Sequence, residues 1–395
     1  MTAWWRPGGA LVFLLTVLAM AQQPPAPPAT AAAVKEVPHG RLETLNGYRV
    51  LTVDGTPAEM GRAYGTLVGD TVRRVVADLI TNGVAADADA RRNLHAGSAM
   101  MARFQPPEYL EELQALAAAA AVKYEDLLLL QYFGDVARAI EGPGHSPLCT
   151  SFAVLPPAAA GRTCIVGRNF DYFDRGIGDY ASLLVVYRPA GRLPFVTVTW
   201  AGVANGWTLL NAKGVAVSNN TAFGGGAASL EGLSTCYLLR HVAERAATVP
   251  AGVELVKRAA RACATNMLIA GGEPPAAVIV EFDHTQVVVR APMDGLVAAA
   301  NSFLQLGEPA GATPYLGGRL ERVHELVTAE RGKVTLASKL AGADGVPIVG
   351  MNLHSVMLDT SARRLRVAMG RIPAFRLPYR AFRLSAAGEL SADEE

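Results

Sequence analysis

The sequence predicts a layered α+β fold, in which sheets and helices pack as separate layers. Three observations carry that reading. Apolar residues recur at helical spacing up to about residue 140, and after Gly142 the texture changes to short runs of Val, Thr, Leu and aromatic residues parted by Gly, Pro and Asn. Helical stretches then interrupt those runs in pairs, without the strand–helix–strand spacing of a doubly wound parallel sheet. At 395 residues, 51% of them hydrophobic, the chain is long enough to build a sizeable core and too apolar for wholesale disorder.

The elements follow in order. Met60, Tyr64, Leu67, Val68, Val72, Val75, Val76, Leu79 and Ile80 recur at steps of three and four and predict a helix from Thr56 to about Thr81. Thr56, Pro57 and Glu59 mark its start as a capping box with proline in the first turn. Two further helices are expected over Glu108–Val122 and Glu125–Ile140; the Ala-rich middle of the first allows close packing by another element. Strands are expected at Thr150–Val154, Thr163–Asp171, Ser182–Tyr187, Phe195–Trp200 and Val215–Asn219. Helices follow at Leu230–Ala247 and Gly252–Ala264, then strands at Ala277–Phe282, Gln286–Val289 and Leu296–Ala300. A helix near Leu316–Arg331 and strands at His354–Leu358 and Arg364–Met369 complete the series.

The N-terminus reads differently. Arg6 precedes an apolar run, Ala10–Ala21, that is shorter than the ~20 residues needed to cross a bilayer. With small residues at Ala19 and Ala21 it has the form of a secretory signal peptide cut after Ala21, which places the mature chain outside the cytoplasm, secreted or periplasmic, with no integral membrane span. Residues 22–40 read as a Pro/Ala-rich linker, 41–148 as a helical segment and 149–395 as the strand-rich body.

Charge and motif content narrow the chemistry. Lys plus Arg at 36 against Asp plus Glu at 35 leaves a net charge of +1, with no field to hold nucleic acid. Four cysteines in this length exclude a disulfide scaffold, and the seven scattered histidines form no metal-spaced cluster. No GxSxG, HExxH, Walker or GxGxxG signature is present. What remains is the point where the texture changes. There a Gly/Pro-rich loop delivers Cys149-Thr150-Ser151-Phe152 to the head of the first strand of the body. Fifteen residues on, a second strand carries Gly167-Arg168-Asn169-Phe170-Asp171-Tyr172, and later strand ends carry Asn219, Asn220 and Asn301. Arg168 and Asp171, of opposite charge, read either as a bidentate ion pair that holds a site together or as a plain surface pair.

CTSFAV followed by VGRNFDY resembles the N-terminal-nucleophile hydrolases of the penicillin acyltransferase (acyl-coenzyme A:6-aminopenicillanic acid acyltransferase) type, and is similar to the acid ceramidase and N-acylethanolamine amidase branch. The opening segment GTPAEMGRAYG and the later AAANSF and LHSVMLDTSARRLRVAMG extend the likeness over roughly Leu42–Pro373. The resemblance implies an αββα sandwich, two antiparallel sheets between helical layers, and a precursor that cuts its own Leu148–Cys149 bond. The new α-amine of Cys149, with an unperturbed pKa of about 7.7–8.0, would serve as base beside its own thiol. On this likeness Arg168 and Asp171 orient the amine and contact substrate. Asn301 lends its amide N–H to an oxyanion hole. Arg319, or Arg322 one turn later, supports the site, and Asn219 or Asn220 supplies a second polar contact. No metal or organic cofactor is implied; the expected partners are a small-molecule acyl substrate and the second chain made by the cut.

One position departs from the acyltransferase pattern. Those enzymes have Gly before the nucleophile, whereas this chain has Leu148, as the amidase relatives tolerate. Export also removes a cytoplasmic acyl-coenzyme A donor. The expected reaction is therefore hydrolysis of a linear amide or related acyl bond through a Cys149 acyl-enzyme. The alternatives are acyl transfer to an amine, or a non-catalytic protein that keeps the fold.

Overall fold

The computed structural model describes residues 34–84, 87–141, 148–172, 176–222, 228–307 and 318–393. The expected signal peptide, residues 1–21, lies outside them. Among the described residues, seventeen strands form two sheets. In the first, β1 (Lys35–Val37), β2 (Gly40–Leu45), β3 (Tyr48–Gly55), β6 (Ser182–Pro189), β7 (Phe195–Trp200), β8 (Thr208–Asn211), β9 (Val215–Thr221), β10 (Thr265–Gly271), β11 (Ala276–Phe282) and β12 (Val287–Arg290) neighbour one another in that order. All pairs are antiparallel except β3–β6. The second sheet runs β13 (Leu296–Ala299), β4 (Leu148–Val154), β5 (Ile165–Asp171), β14 (Asn352–Asp359), β15 (Arg364–Met369), β16 (Arg380–Leu384) and β17 (Leu390–Ala392), antiparallel throughout.

Among the same described residues, the eight α-helices are α1 (Pro57–Val75), α2 (Ala88–Ala102), α3 (Pro107–Ala120), α4 (Tyr124–Glu141), the short α5 (Ile177–Ala181), α6 (Thr235–Arg245), α7 (Val249–Arg258) and α8 (Arg319–Ala329). The expected capping box opens α1: Thr56 Oγ1 accepts from the Glu59 N–H, and Glu59 Oε2 accepts from the Thr56 N–H at 2.8 Å. The helical pattern does not continue as one helix to Thr81, because the backbone passes into a π-helical stretch at Val76–Val84. The Ala-rich α3 meets α1 backbone to backbone. A Cβ at Gly61 would lie 2.1 Å from the Glu112 carbonyl oxygen, so that position has room only for glycine.

Three apolar interfaces stack into an αββα sandwich. Helices α1, α3, α4, α6 and α7 cover one face of the ten-stranded sheet through Tyr64, Leu113, Tyr132, Leu183, Tyr237 and Met267. Alternate residues on its other face, Leu184, Val186, Ala216 and Leu268, meet Ala153, Val166, Val356 and Val367 of the seven-stranded sheet. Beyond that sheet, Val323 and Val327 of α8 pack on Phe152, Val154 and Ile165.

Two boundaries move. The linker expected over 22–40 ends earlier, since Lys35–Val37 already pair with Gly40–Leu42. The segment expected to be helical over 41–148 first lays down β2 and β3, and so supplies the edge of the larger sheet before its helices begin. Among the described residues no helix is long and apolar enough to cross a membrane.

Candidate active site

Strands β4 and β5 pair so that Leu148 opposes Asp171, Cys149 opposes Phe170 and Ser151 opposes Arg168. Opposed residues share a face, so Cys149, Ser151, Arg168 and Phe170 point between the sheets, whereas Thr150, Asn169 and Asp171 point towards the α8 layer. This corrects the reading of Arg168 and Asp171 as a pair. Three residues apart on a strand is an odd spacing, which sends the two side chains to opposite faces. Arg168 Nη2 instead donates to Cys149 Sγ at 3.0 Å, and Nη1 donates to the Asn169 carbonyl at 2.6 Å.

Both main-chain polar atoms of Cys149 are held by side chains. Its N–H donates to Asn301 Oδ1 at 2.9 Å, and its carbonyl accepts from Arg319 Nη1 at 2.7 Å. Arg319, at the start of α8, also donates to Thr150 Oγ1 at 2.9 Å and to Asn301 Oδ1 at 2.8 Å. Arg322 turns outward to Glu325 and the Asp344 carbonyl, so Arg319 is the arginine at the site. In this uncut chain Asn301 Nδ2 donates to the Thr221 carbonyl at 2.7 Å, and it is the amide oxygen, not an N–H, that faces Cys149.

Asn219 and Asn220 separate by the same alternation. Asn220 faces the inter-sheet layer, accepting from Ser151 Oγ at 2.6 Å and donating to the Ala299 carbonyl at 3.1 Å. Asn219 faces the helices and lines a cavity of about 120 Å³, and its Oδ1 is buried without a hydrogen-bond partner. Phe170, the cross-strand partner of Cys149, forms part of the cavity wall with Leu79, Leu130, Phe133, Trp200 and Trp207. Phe170 stacks on Trp207 with ring centroids 4.5 Å apart, and Trp200 meets Trp207 edge-on.

Burial sets the electrostatics. Cys149 is 1% exposed, and loss of water pushes its thiol pKa up; the Arg168 guanidinium opposes that shift, while Asp171 adds to it. Burial also raises Asp171 to about 6, against the pull of Asn352 Nδ2, which donates to Asp171 Oδ1 at 2.8 Å, and of Arg319 and Arg168. Cys164, Cys236 and Cys263 are free thiols like Cys149, so no disulfide forms among them. Among the described residues no group of His, Cys, Asp and Glu is placed to hold a metal ion.

Asn352 is the site residue that the sequence reading missed. Starting the strand at His354 hid it, whereas β14 begins two residues earlier and sets Asn352 opposite Asp171. The aromatic wall was missed as well, because Trp200 and Trp207 flank a loop whose path no periodicity reports.

The raised Asp171 carboxyl has a consequence for stability. Its folded-state pKa lies above the unfolded value near 4, so folding favours the protonated form, and the stability this gives is lost as pH rises through about 6. Asp171→Asn, neutral at every pH, should raise the unfolding free energy at pH 7.5 by on the order of 2 kcal/mol. The gain should vanish near pH 4. Urea melts of both proteins at the two pH values check it, and an equal difference at both would contradict the assignment.

The sequence profile of the acyl-coenzyme A:6-aminopenicillanic acid acyl-transferase family matches residues 159–371, more than half of the chain. The match starts after Cys149, which therefore lies outside it. A relative from Archaeoglobus fulgidus, described only as an uncharacterized protein, is 26% identical over 204 residues, which cover 46% of this chain and 34% of that one. The alignment thus spans about a third of the relative's length. An N-acylethanolamine-hydrolyzing acid amidase ortholog from Caenorhabditis elegans is similar at 16% identity and a TM-score of 0.45, covering 58% of this chain and 98% of that one. A mutant of conjugated bile acid hydrolase from Clostridium perfringens gives 11% identity, 62% and 97% coverage and 0.45. Penicillin V acylase from Agrobacterium tumefaciens gives 13%, 62%, 98% and 0.41. By a profile match over more than half its length, this chain belongs to the acyl-coenzyme A:6-aminopenicillanic acid acyl-transferase family.

Proposed function

We propose that this is an exported, self-processing N-terminal cysteine hydrolase that cleaves a linear amide, or a related acyl bond, through a Cys149 acyl-enzyme. One observation carries the reading: at the head of β4 a guanidinium sits on the Cys149 sulfur while Asn301 and Arg319 clamp its main-chain N–H and carbonyl. That arrangement leaves the Leu148 carbonyl carbon as the neighbouring electrophile. The thiol adds to it and its proton passes to the departing nitrogen, giving a thioester; water then releases the Leu148 carboxylate and frees the Cys149 amine and thiol. With substrate the sequence repeats. The Cys149 amine takes the thiol proton, sulfur attacks the acyl carbonyl, the amine passes that proton to the substrate nitrogen as the C–N bond breaks and the substrate amine leaves, and water then discharges the acyl-enzyme and restores the thiol. Arg168 favours the thiolate that burial disfavours.

The cavity beside Phe170 suits the acyl group. At about 120 Å³ it is on the scale of the ~150 Å³ apolar cavity that admits a benzene ring. A small apolar acyl end should therefore be preferred over a long chain. Asn219 Oδ1, buried and unpaired at the cavity, would accept a hydrogen bond from the substrate.

The family description names transfer to an amine, and this favours a second reading in which an amine competes with water for the same acyl-enzyme. Supplying a labelled amide with a small apolar acyl group, with and without excess amine, and counting free acid against the new amide decides between them. Asn301→Ala, which removes the acceptor that orients the Cys149 nitrogen, should lower turnover by roughly 10²–10³. A full rate in that variant would show that Asn301 plays no part.

A further inference from the structure

One row of side chains in the larger sheet accounts for where Asn301 sits. Asn220 on β9 pairs directly with Asn266 on β10, and Asn266 pairs directly with Glu281 on β11, so the three share one face and one line across the sheet. That face looks toward the seven-stranded sheet, whose neighbouring residues in the same layer are aliphatic. Each member of the row is fully buried, and each holds backbone of the segment that carries Asn301. Asn220 Nδ2 donates to the Ala299 carbonyl at 3.1 Å. Asn266 Nδ2 donates to the carbonyls on either side of Asn301, Ala300 and Ser302, at 3.2 Å each. The Glu281 carboxylate accepts three successive backbone N–H groups, from Leu304, Gln305 and Leu306, at 2.9, 2.8 and 2.9 Å. Arg290 completes the line: its Nε donates to Glu281 at 2.5 Å and its Nη2 to the Ala298 carbonyl at 2.8 Å.

We infer that Glu281, with Asn266 and Asn220 beside it, is a positioning residue for the reaction: it fixes the backbone from Ala298 to Leu306 so that Asn301 meets the Cys149 nitrogen. Three consecutive N–H groups converging on one point form an anion-binding nest, and here the anion is supplied by the protein itself. The carboxylate answers four donors with its two oxygens, which a neutral amide cannot do, because one of its ends would present N–H groups to N–H groups. Asn220, expected from the sequence as a candidate substrate contact, belongs to this scaffold, and Asn219 alone of the pair reaches the cavity. The inference rests on the role proposed for Asn301, and its test separates the two.

The test compares the full chain with its Glu281→Gln and Asn266→Ala variants by hydrogen exchange and by steady-state kinetics. In Glu281→Gln the amides of Leu304, Gln305 and Leu306 should exchange at least about tenfold faster, while those of β4 and β5 keep their protection. The maximal rate should fall about 10–100-fold with KM within about threefold, since a misplaced Asn301 affects chemistry more than binding. Asn266→Ala, which releases only two contacts, should show the same pattern more weakly and guards against a Glu281→Gln chain that fails to fold. Native exchange at residues 304–306, or an unchanged rate, overturns the inference. A loss of protection spread over both sheets does so too, because it would make the row a general structural support. If the native chain neither cuts itself nor turns over substrate, the proposed function fails, and the exchange data still decide whether Glu281 holds the loop.

Discussion

Cys149→Ala is expected to leave a single uncut polypeptide and to lower turnover by on the order of 10⁴-fold or more, whereas the native protein is expected to yield two chains, the heavier starting Cys-Thr-Ser-Phe. The substitution removes only a sulfur from a buried position among Phe170, Trp200 and Val203, so the fold should persist and the loss should be chemical. Cys149→Ser sharpens the point. A hydroxyl keeps the shape and the hydrogen bond to Arg168, but it is far less acidic than a thiol, so the cut should slow without disappearing. Denaturing electrophoresis and N-terminal sequencing read both variants. A native protein that stays in one piece, with turnover untouched by Cys149→Ala, would remove Cys149 from the mechanism.

Arg240→Met is expected to destabilise the protein by about 3–5 kcal/mol, the usual cost of stripping one partner from a buried ion pair. Arg240 on α6 is 1% exposed. Its Nη1 and Nη2 meet both oxygens of Glu112 on α3 at 2.9 and 2.5 Å, its Nε meets Glu244 at 2.6 Å, and its guanidinium lies 4.8 Å from the Tyr109 ring and 4.5 Å from that of Tyr187. Methionine fills the volume but leaves two carboxylates in an apolar layer, so adding Glu112→Gln and Glu244→Gln should restore part of the loss. Arg240 also donates to the Ala204 carbonyl at 2.8 Å, in the loop between Trp200 and Trp207. Turnover should therefore suffer along with the urea midpoint. An unfolding free energy within about 1 kcal/mol of native would mean that the two carboxylates do not depend on Arg240.

How much could be read in advance depended on whether a feature is local. The capping box at Thr56 and Glu59, the β7 boundaries and the head of β4 were legible because each is written in a few consecutive residues. Arg319 and Asn301 came from likeness, and the geometry brings both to Cys149 from an α8 helix and a strand end far apart in the sequence. The β10 strand, Thr265–Gly271, fell between a helix expected to end at Ala264 and a strand expected from Ala277, because a short apolar run suits a buried strand and a buried helix alike and carries no period of its own. Asn220, Asn266 and Glu281 form a row only after three strands find their register, and no spacing along the chain encodes that register.

The parallel contact of β3 with β6 joins residues on either side of Cys149 in one sheet, and the Glu112–Arg240 pair joins them in one helical layer. On the proposed cut of the 148–149 bond, no linker would hold these partners at a fixed effective concentration. Unfolding would then produce two separate polypeptides, and recovery would require that they meet. The matured protein should thus behave in denaturation as an obligate dimer does, with a midpoint that climbs as protein concentration rises, whereas an uncut Cys149→Ala chain melts at the same point whatever its concentration.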